Sequence, residues 1–117
     1  MANNIEMVSL LESGLKLADL RQSAIANNLA NLETPGFKRS QVSFEARLAD
    51  ALAGEAGHVS DIQAEVTQPL ETEANAQGND VNLDMELTGL IKNTGRYRLY
   101  MRMLSKTYQQ MGQAIAE

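Results

Sequence analysis

The side chains that could do acid–base or metal chemistry here are 15 aspartates and glutamates and a single histidine; there is no cysteine. A thiolate nucleophile, a disulfide frame and a cysteine metal site are thereby excluded. His58 stands in Gly57-His58-Val59 within an acidic stretch. A lone loop histidine is far more often a solvated imidazole than a general base or a ligand. The carboxylates follow neither EF-hand nor other ligand spacing. No Ser-His-Asp order, P-loop or Gly-x-Gly-x-x-Gly run occurs. The chain therefore reads as non-enzymatic, with no cofactor. A rival reading, an enzyme whose acidic loop binds a divalent metal, is open to calorimetry with Mg²⁺, Ca²⁺ and Mn²⁺.

What remains is hydrogen-bonding chemistry, and it is concentrated in Asn27, Asn28 and Asn31. Residues four apart share a helix face, and asparagine competes with the helix for backbone hydrogen bonds. One such amide near a helix end is ordinarily a solvated polar face. Three beside a turn point to amides that fasten the turn or bond a neighbouring chain. The turn is Thr34-Pro35-Gly36, followed by Phe37 as an apolar anchor. Proline lacks an N–H and biases Thr34 away from helical angles. Pro-Gly suits the centre of a type II turn, with Gly36 at positive φ.

Two long elements must position these groups. Val8, Leu11, Leu15, Ala18, Ile25, Leu29 and Leu32 recur at three and four, with Gln22 in the one slot that should be apolar. This heptad-like seam predicts a helix over 5–31, weakened at Gly14. Residues 38–42 should be extended. Ser43 should cap a short helix with Phe44, Leu48 and Leu52 on one face, ended by Gly54, so that 32–53 forms a turn and short helix. Residues 54–82 form a long acidic loop in which Ile62, Ala64 and Val66 alternate as a short strand would. Asn82 caps a second long helix over 83–116, with Asp84 and Glu86 in its first turn, where the macrodipole favours acids. Its seam is Leu83, Leu87, Leu90, Thr94, Tyr97, Met101, Leu104, Tyr108, Met111 and Ile115. Met85, Met101, Met103 and Met111 read as seam fillers.

The expected fold is mainly α: one domain over 1–117 in which two long terminal helices pair as an antiparallel coiled-coil hairpin, with a short central helix and a long irregular loop. A hairpin exposes half its surface, so its other faces should find partners. The net charge of −5 argues against nucleic acid, and no apolar run reaches membrane-spanning length. The N-terminus lacks the basic and apolar regions of a cleaved signal peptide. Nine acids and no Lys or Arg lie between Leu48 and Ile91; five bases and no acids lie from Lys92 to Lys106. Any single charge reads as a solvated face; blocks of opposite sign suit a polymer whose subunits meet head to flank.

The run Ala26 to Lys38, Ala-Asn-Asn-Leu-Ala-Asn-Leu-Glu-Thr-Pro-Gly-Phe-Lys, resembles the N-terminal signature of the bacterial flagellar rod and hook family. The resemblance extends to Asn79-Asp80-Val81-Asn82-Leu83-Asp84-Met85-Glu86-Leu87, to Arg96-Tyr97-Arg98 and to Leu104-Ser105-Lys106. The short middle is like that of proximal rod members, which lack the large inserted domains of hook and distal rod proteins. Tyr97-Arg98-Leu99-Tyr100 stands where one proximal group carries Tyr-x-Ala-Asn, which points to the other group.

The resemblance implies a structural subunit of the proximal rod, in the basal body and spanning the periplasm. It implies assembly with copies of itself and with neighbouring rod and basal-body proteins into the shaft that transmits torque. Passage through the flagellar type III export apparatus, without a cleaved signal, is also implied. Phe44-Glu45-Ala46-Arg47-Leu48 is similar to the Phe-x-x-x-apolar pattern by which early substrates engage the export gate; the same residues also read as core positions on a short helix. The competing reading is a helical adaptor or export chaperone that uses its seams on a separate partner.

Overall fold

In a computed structural model that describes residues 4–52 and 63–116, the elements follow as α1 (Asn4–Ala30), β1 (Gln41–Ser43), α2 (Glu45–Leu52), β2 (Glu65–Thr67) and α3 (Leu83–Ala116). The two apolar periods thus become α1 and α3, which are about 40 Å and 51 Å long at 1.5 Å per residue. Asn82 caps α3 as its type requires: Oδ1 accepts from Met85 N at 3.0 Å, and its carbonyl accepts from Glu86 N at 3.0 Å. Gly54, His58 and Ile62 lie outside the described residues, as does the side chain of Leu52.

The helices run antiparallel. Moving down α1, Asn28 meets Glu86, Ile25 meets Gly89, Ala18 and Gln22 meet Asn93, Gly14 meets Tyr100, and Glu12 meets Tyr108. Gly14 has a positive reason to be glycine. A Cβ there would stand 3.2 Å from the Tyr100 ring, so its absence lets the helices close. Gln22 is equally explained, since its Oε1 accepts from Asn93 Nδ2 at 2.8 Å. A polar break in one helix is answered by a polar residue in the other.

α1 buries two lines rather than the single seam expected. Leu11, Ala18, Ile25 and Asn28 face α3, while Leu17 packs with Val42 and Phe44. Ala24, Leu48 and Ala64 close this second cluster. Arg21 lies over the Phe44 ring, 4.6 Å from its centroid, and donates to Val42 O through Nε at 3.1 Å. It also pairs with Glu45, whose carboxyl this hydrogen bond holds down to about 2. β1 pairs with β2 antiparallel, with Val42 opposite Val66. Ser43 is not the cap of α2: it ends β1, and the Phe44 carbonyl takes the first helical hydrogen bond, from Leu48 N at 2.9 Å.

The larger correction concerns α3. Leu87, Tyr97, Met101 and Tyr108 are not buried against α1 but exposed, as are Leu83 and Ile115; Tyr97 and Tyr108 touch α1 only at its edge, Tyr108 through its hydroxyl on Glu12. Leu90, Leu104 and Met111 are half-buried. The line facing α1 carries Glu86, Gly89, Asn93, Tyr100 and Thr107 instead. The cause is that the hydrogen bonds of Glu86 and Asn93, with the small Gly14 and Gly89 at the contact, set the rotation of the helix. The apolar stripe turns to the flank. The molecule measures 65 × 27 × 14 Å, too thin to bury that stripe on itself.

Candidate functional site

Two features stand out: a polar lock at the turn and the uncovered stripe of α3. The lock begins where α1 ends. Thr34 O accepts from Phe37 N at 3.3 Å and Gly36 has φ 74°, the geometry of a type II turn. Asn31 braces the turn: its Nδ2 donates to Asn27 O at 2.8 Å and its Oδ1 accepts from Thr34 Oγ1 at 3.1 Å. Asn27 itself is exposed, as are Thr34 and Pro35, while Phe37 is half-buried.

A distant segment closes over the turn. Gly36 N donates to Gln77 O at 2.8 Å, and Asp80 N to Phe37 O at 3.3 Å. Gly78, at φ 80°, comes so near that a Cβ on it would lie 3.6 Å from Gly36 Cα. Asn79 Nδ2 donates to Asn31 O and to Thr34 O, both at 2.8 Å, and so satisfies carbonyls that the helix end leaves open. Lys38 Nζ reaches Gly78 O at 2.6 Å.

Beneath this lie buried charges. Asn28 is fully buried and grips Ser40 in both directions: Nδ2 donates to its carbonyl at 2.8 Å, and Oδ1 accepts from its N–H at 2.9 Å. Asn28 Nδ2 also reaches Glu86 Oε2 at 3.2 Å, and Arg39 Nε donates to Glu86 Oε1 at 2.5 Å. Glu86 is 1 % exposed and Arg39 7 %. The Arg39 N–H donates to buried Asp80 Oδ1 at 2.7 Å. Glu86, expected as an acid of the first turn favoured by the macrodipole, is also the anchor that holds the post-turn strand to α3. The sequence reading missed Arg39, Asn79 and Asp80 as lock residues and Leu17 and Arg21 as a second core face. The available signal was several polar residues clustered beside a Pro-Gly turn and beside the Asn82 cap.

The stripe of α3 forms the second feature. Met101, Leu104, Ser105, Tyr108 and Gln109 line a groove of about 400 Å³. Asp19, Gln22, Thr94 and Tyr97 line a smaller one of about 200 Å³ where α1 and α3 meet. Tyr108 Oη donates to Glu12 Oε1 at 3.1 Å, and this carboxylate raises the phenol's pKa. Leu11 and Ile25 of the expected seam are buried, and Leu15 and Leu29 are half-buried. Phe44 is buried, and Leu48 packs against its cluster. Among the described residues, no three of His, Cys, Asp and Glu converge to hold a metal ion, and no helix is long and apolar enough to cross a membrane.

Such an arrangement fixes the turn end of the hairpin and leaves an apolar face of α3 open. The family model "Flagella basal body rod protein" matches residues 10–38, the length of α1 from Leu10 through the turn to Lys38. Relatives extend the likeness along the chain. The flagellar basal body rod protein FlgB of Borrelia hermsii is 35 % identical over 118 residues, covering 84 % of this chain and 87 % of its own. That of Borreliella burgdorferi is 32 % identical over 104 residues, covering 73 % and 77 %. That of Bacillus subtilis is 29 % identical over 111 residues, covering 86 % of each. The chain belongs to the FlgB family of flagellar basal body rod proteins.

Proposed function

We propose that the chain is a non-enzymatic structural subunit of the proximal flagellar rod, which joins copies of itself and neighbouring basal-body proteins into the periplasm-spanning shaft that transmits torque. The observation that carries this is the apolar stripe of α3, uncovered along a helix of about 51 Å. A contiguous exposed apolar patch of this extent marks an interaction surface. The turn residues Asn27, Asn28, Asn31, Thr34, Pro35, Gly36 and Phe37 act here through the lock, which holds the end of the hairpin in one shape for its neighbours. The experiment is deletion of the gene in its host and complementation with wild type or Met101→Asp. Wild type should restore swimming and rods in purified basal bodies. Met101→Asp, at an exposed site, should leave the subunit folded and fail to restore either. A host that swims without the gene would overturn the proposal, and a stable one-to-one complex with a separate partner would favour the adaptor or export-chaperone reading.

The subunit reaches the rod through the flagellar type III export apparatus. Phe44 and Leu48 face inward against Leu17 and Val42, which favours an export gate that meets this segment before it folds. Phe44→Ala should then stay with the cell body while Met101→Asp is still exported; equal export of the two would remove Phe44 from the signal.

A further inference from the structure

Three exposed bases toward the end of α3 share a flank with its apolar stripe, whereas Arg96 pairs with Glu45. Arg98, Arg102 and Lys106 are exposed, and none makes an ion pair among the described residues. Five turns earlier on the same line of the helix stands Asp84, also exposed, 18 residues before Arg102. Thr72 Oγ1 touches Met85 Sδ at 3.9 Å, which sets the exposed Glu71 and Glu73 beside the first turn of α3. The acidic group thus gathers at the turn end of the molecule, while Asp80 and Glu86 are consumed inside the lock.

α3 is a continuous helix, so it holds these two groups about 27 Å apart. They cannot meet within one subunit, and at this distance salt screens one from the other. Each therefore presents an unneutralised charge to solvent, and each is the complement of the other. The bases are bordered by exposed Tyr97, Met101 and Tyr108, which supply the apolar area that a charge contact alone would lack.

We propose that the basic flank of α3 docks the acidic turn end of a second copy of this chain, displaced along the axis by about 27 Å. The inference rests on the rod reading, which requires an open contact between unlike surfaces rather than a closed dimer. Charge complementarity sets register and orientation, and the apolar border supplies contact area.

The test is sedimentation velocity on the full chain. Wild type should form species beyond the dimer at low salt, and raising NaCl from about 50 to about 500 mM should weaken association about tenfold or more. Arg98→Glu/Arg102→Glu/Lys106→Glu and Glu71→Lys/Glu73→Lys/Asp84→Lys should each remain monomeric where wild type associates. Mixed one to one, the two variants should associate again, because each restores the complement of the other. All six positions are exposed, so far-ultraviolet circular dichroism should match wild type; single Arg102→Glu carries the test if a triple variant loses helix. Variants that associate as wild type does, a wild type that stops at a closed dimer, or a monomer that binds phosphatidylglycerol vesicles instead would each overturn the pairing. A host that carries the triple variants and still builds rods and swims also overturns it, yet leaves the rod reading standing. Only a host that swims without the gene removes that reading.

Discussion

Replacing Arg39 by alanine tests the lock at its most exacting point. Glu86 is 1 % exposed, and its oxygens are met by Arg39 Nε at 2.5 Å and Asn28 Nδ2 at 3.2 Å. Without the guanidinium, a buried carboxylate keeps one amide for a partner. Removing one member of a buried pair costs about 3–5 kcal/mol, because the other charge is left uncompensated. Domains have about 5–15 kcal/mol in total, so this single change should take about a fifth of the stability or more. Removing both charges is a different matter. In Arg39→Met/Glu86→Leu, Asn28 still bonds Ser40, and the residue 39 N–H still bonds Asp80. Apolar replacement of a whole buried pair is often neutral, so the double variant should lose under about 2 kcal/mol, less than Arg39→Ala alone. Glu86→Gln should fall between them, at about 2–4 kcal/mol, since it leaves the cation buried. Urea unfolding followed by circular dichroism gives these values, and the singles Arg39→Met and Glu86→Leu measured beside them close a double-mutant cycle. An Arg39→Ala cost below about 1 kcal/mol, or a double variant equal to the sum of the singles, would show that the pair does not fasten the turn to α3.

Gly36→Val should be more damaging than Gly36→Asn. Nothing lies within 4 Å of a Cβ there, so the cost is backbone strain at φ 74°, about 1–3 kcal/mol for a β-branched residue. Thermal melts of both variants decide this, and equal shifts would refute it. Gly14→Leu should destabilise by about 1–3 kcal/mol, because its Cβ alone would stand 3.2 Å from the Tyr100 ring; an unchanged melting temperature would count against the close helix approach. Glu45 has its pKa lowered to about 2 by the Arg21 hydrogen bond, so its contribution is present above the unfolded value of about 4.5 and is lost as pH falls toward 2. The carboxylate is half exposed, so screening limits this to about 0.5–1 kcal/mol. Melts of wild type and Glu45→Gln should separate at pH 6 and converge near pH 2; a constant gap would remove the ion pair as its cause. Amide exchange in the isolated subunit should be fastest at 111–116, past the last described contacts with α1, and slower at 86–107; uniform protection would refute the unpaired end.

What the amino-acid sequence determined by itself was everything whose cause is local. The two helices follow from apolar residues at three and four, a period that backbone geometry imposes on a single segment. The turn follows from Pro35 and Gly36, and the start of α3 from Asn82, each needing only neighbours a few positions away. The tertiary structure alone decided which side of α3 meets α1. An apolar stripe states that it will be covered, but not whether the cover is the same chain or another. Here Glu86 and Asn93 formed directional hydrogen bonds within the subunit, Gly14 and Gly89 allowed the close approach, and Tyr97, Met101 and Tyr108 were turned outward. The distant partners of the lock were illegible for the same reason: Asn28 and Glu86 are 58 positions apart, Arg39 and Asp80 41. The value of a buried charge depends on whichever partner folding brings to it, and no spacing along the chain records that partner.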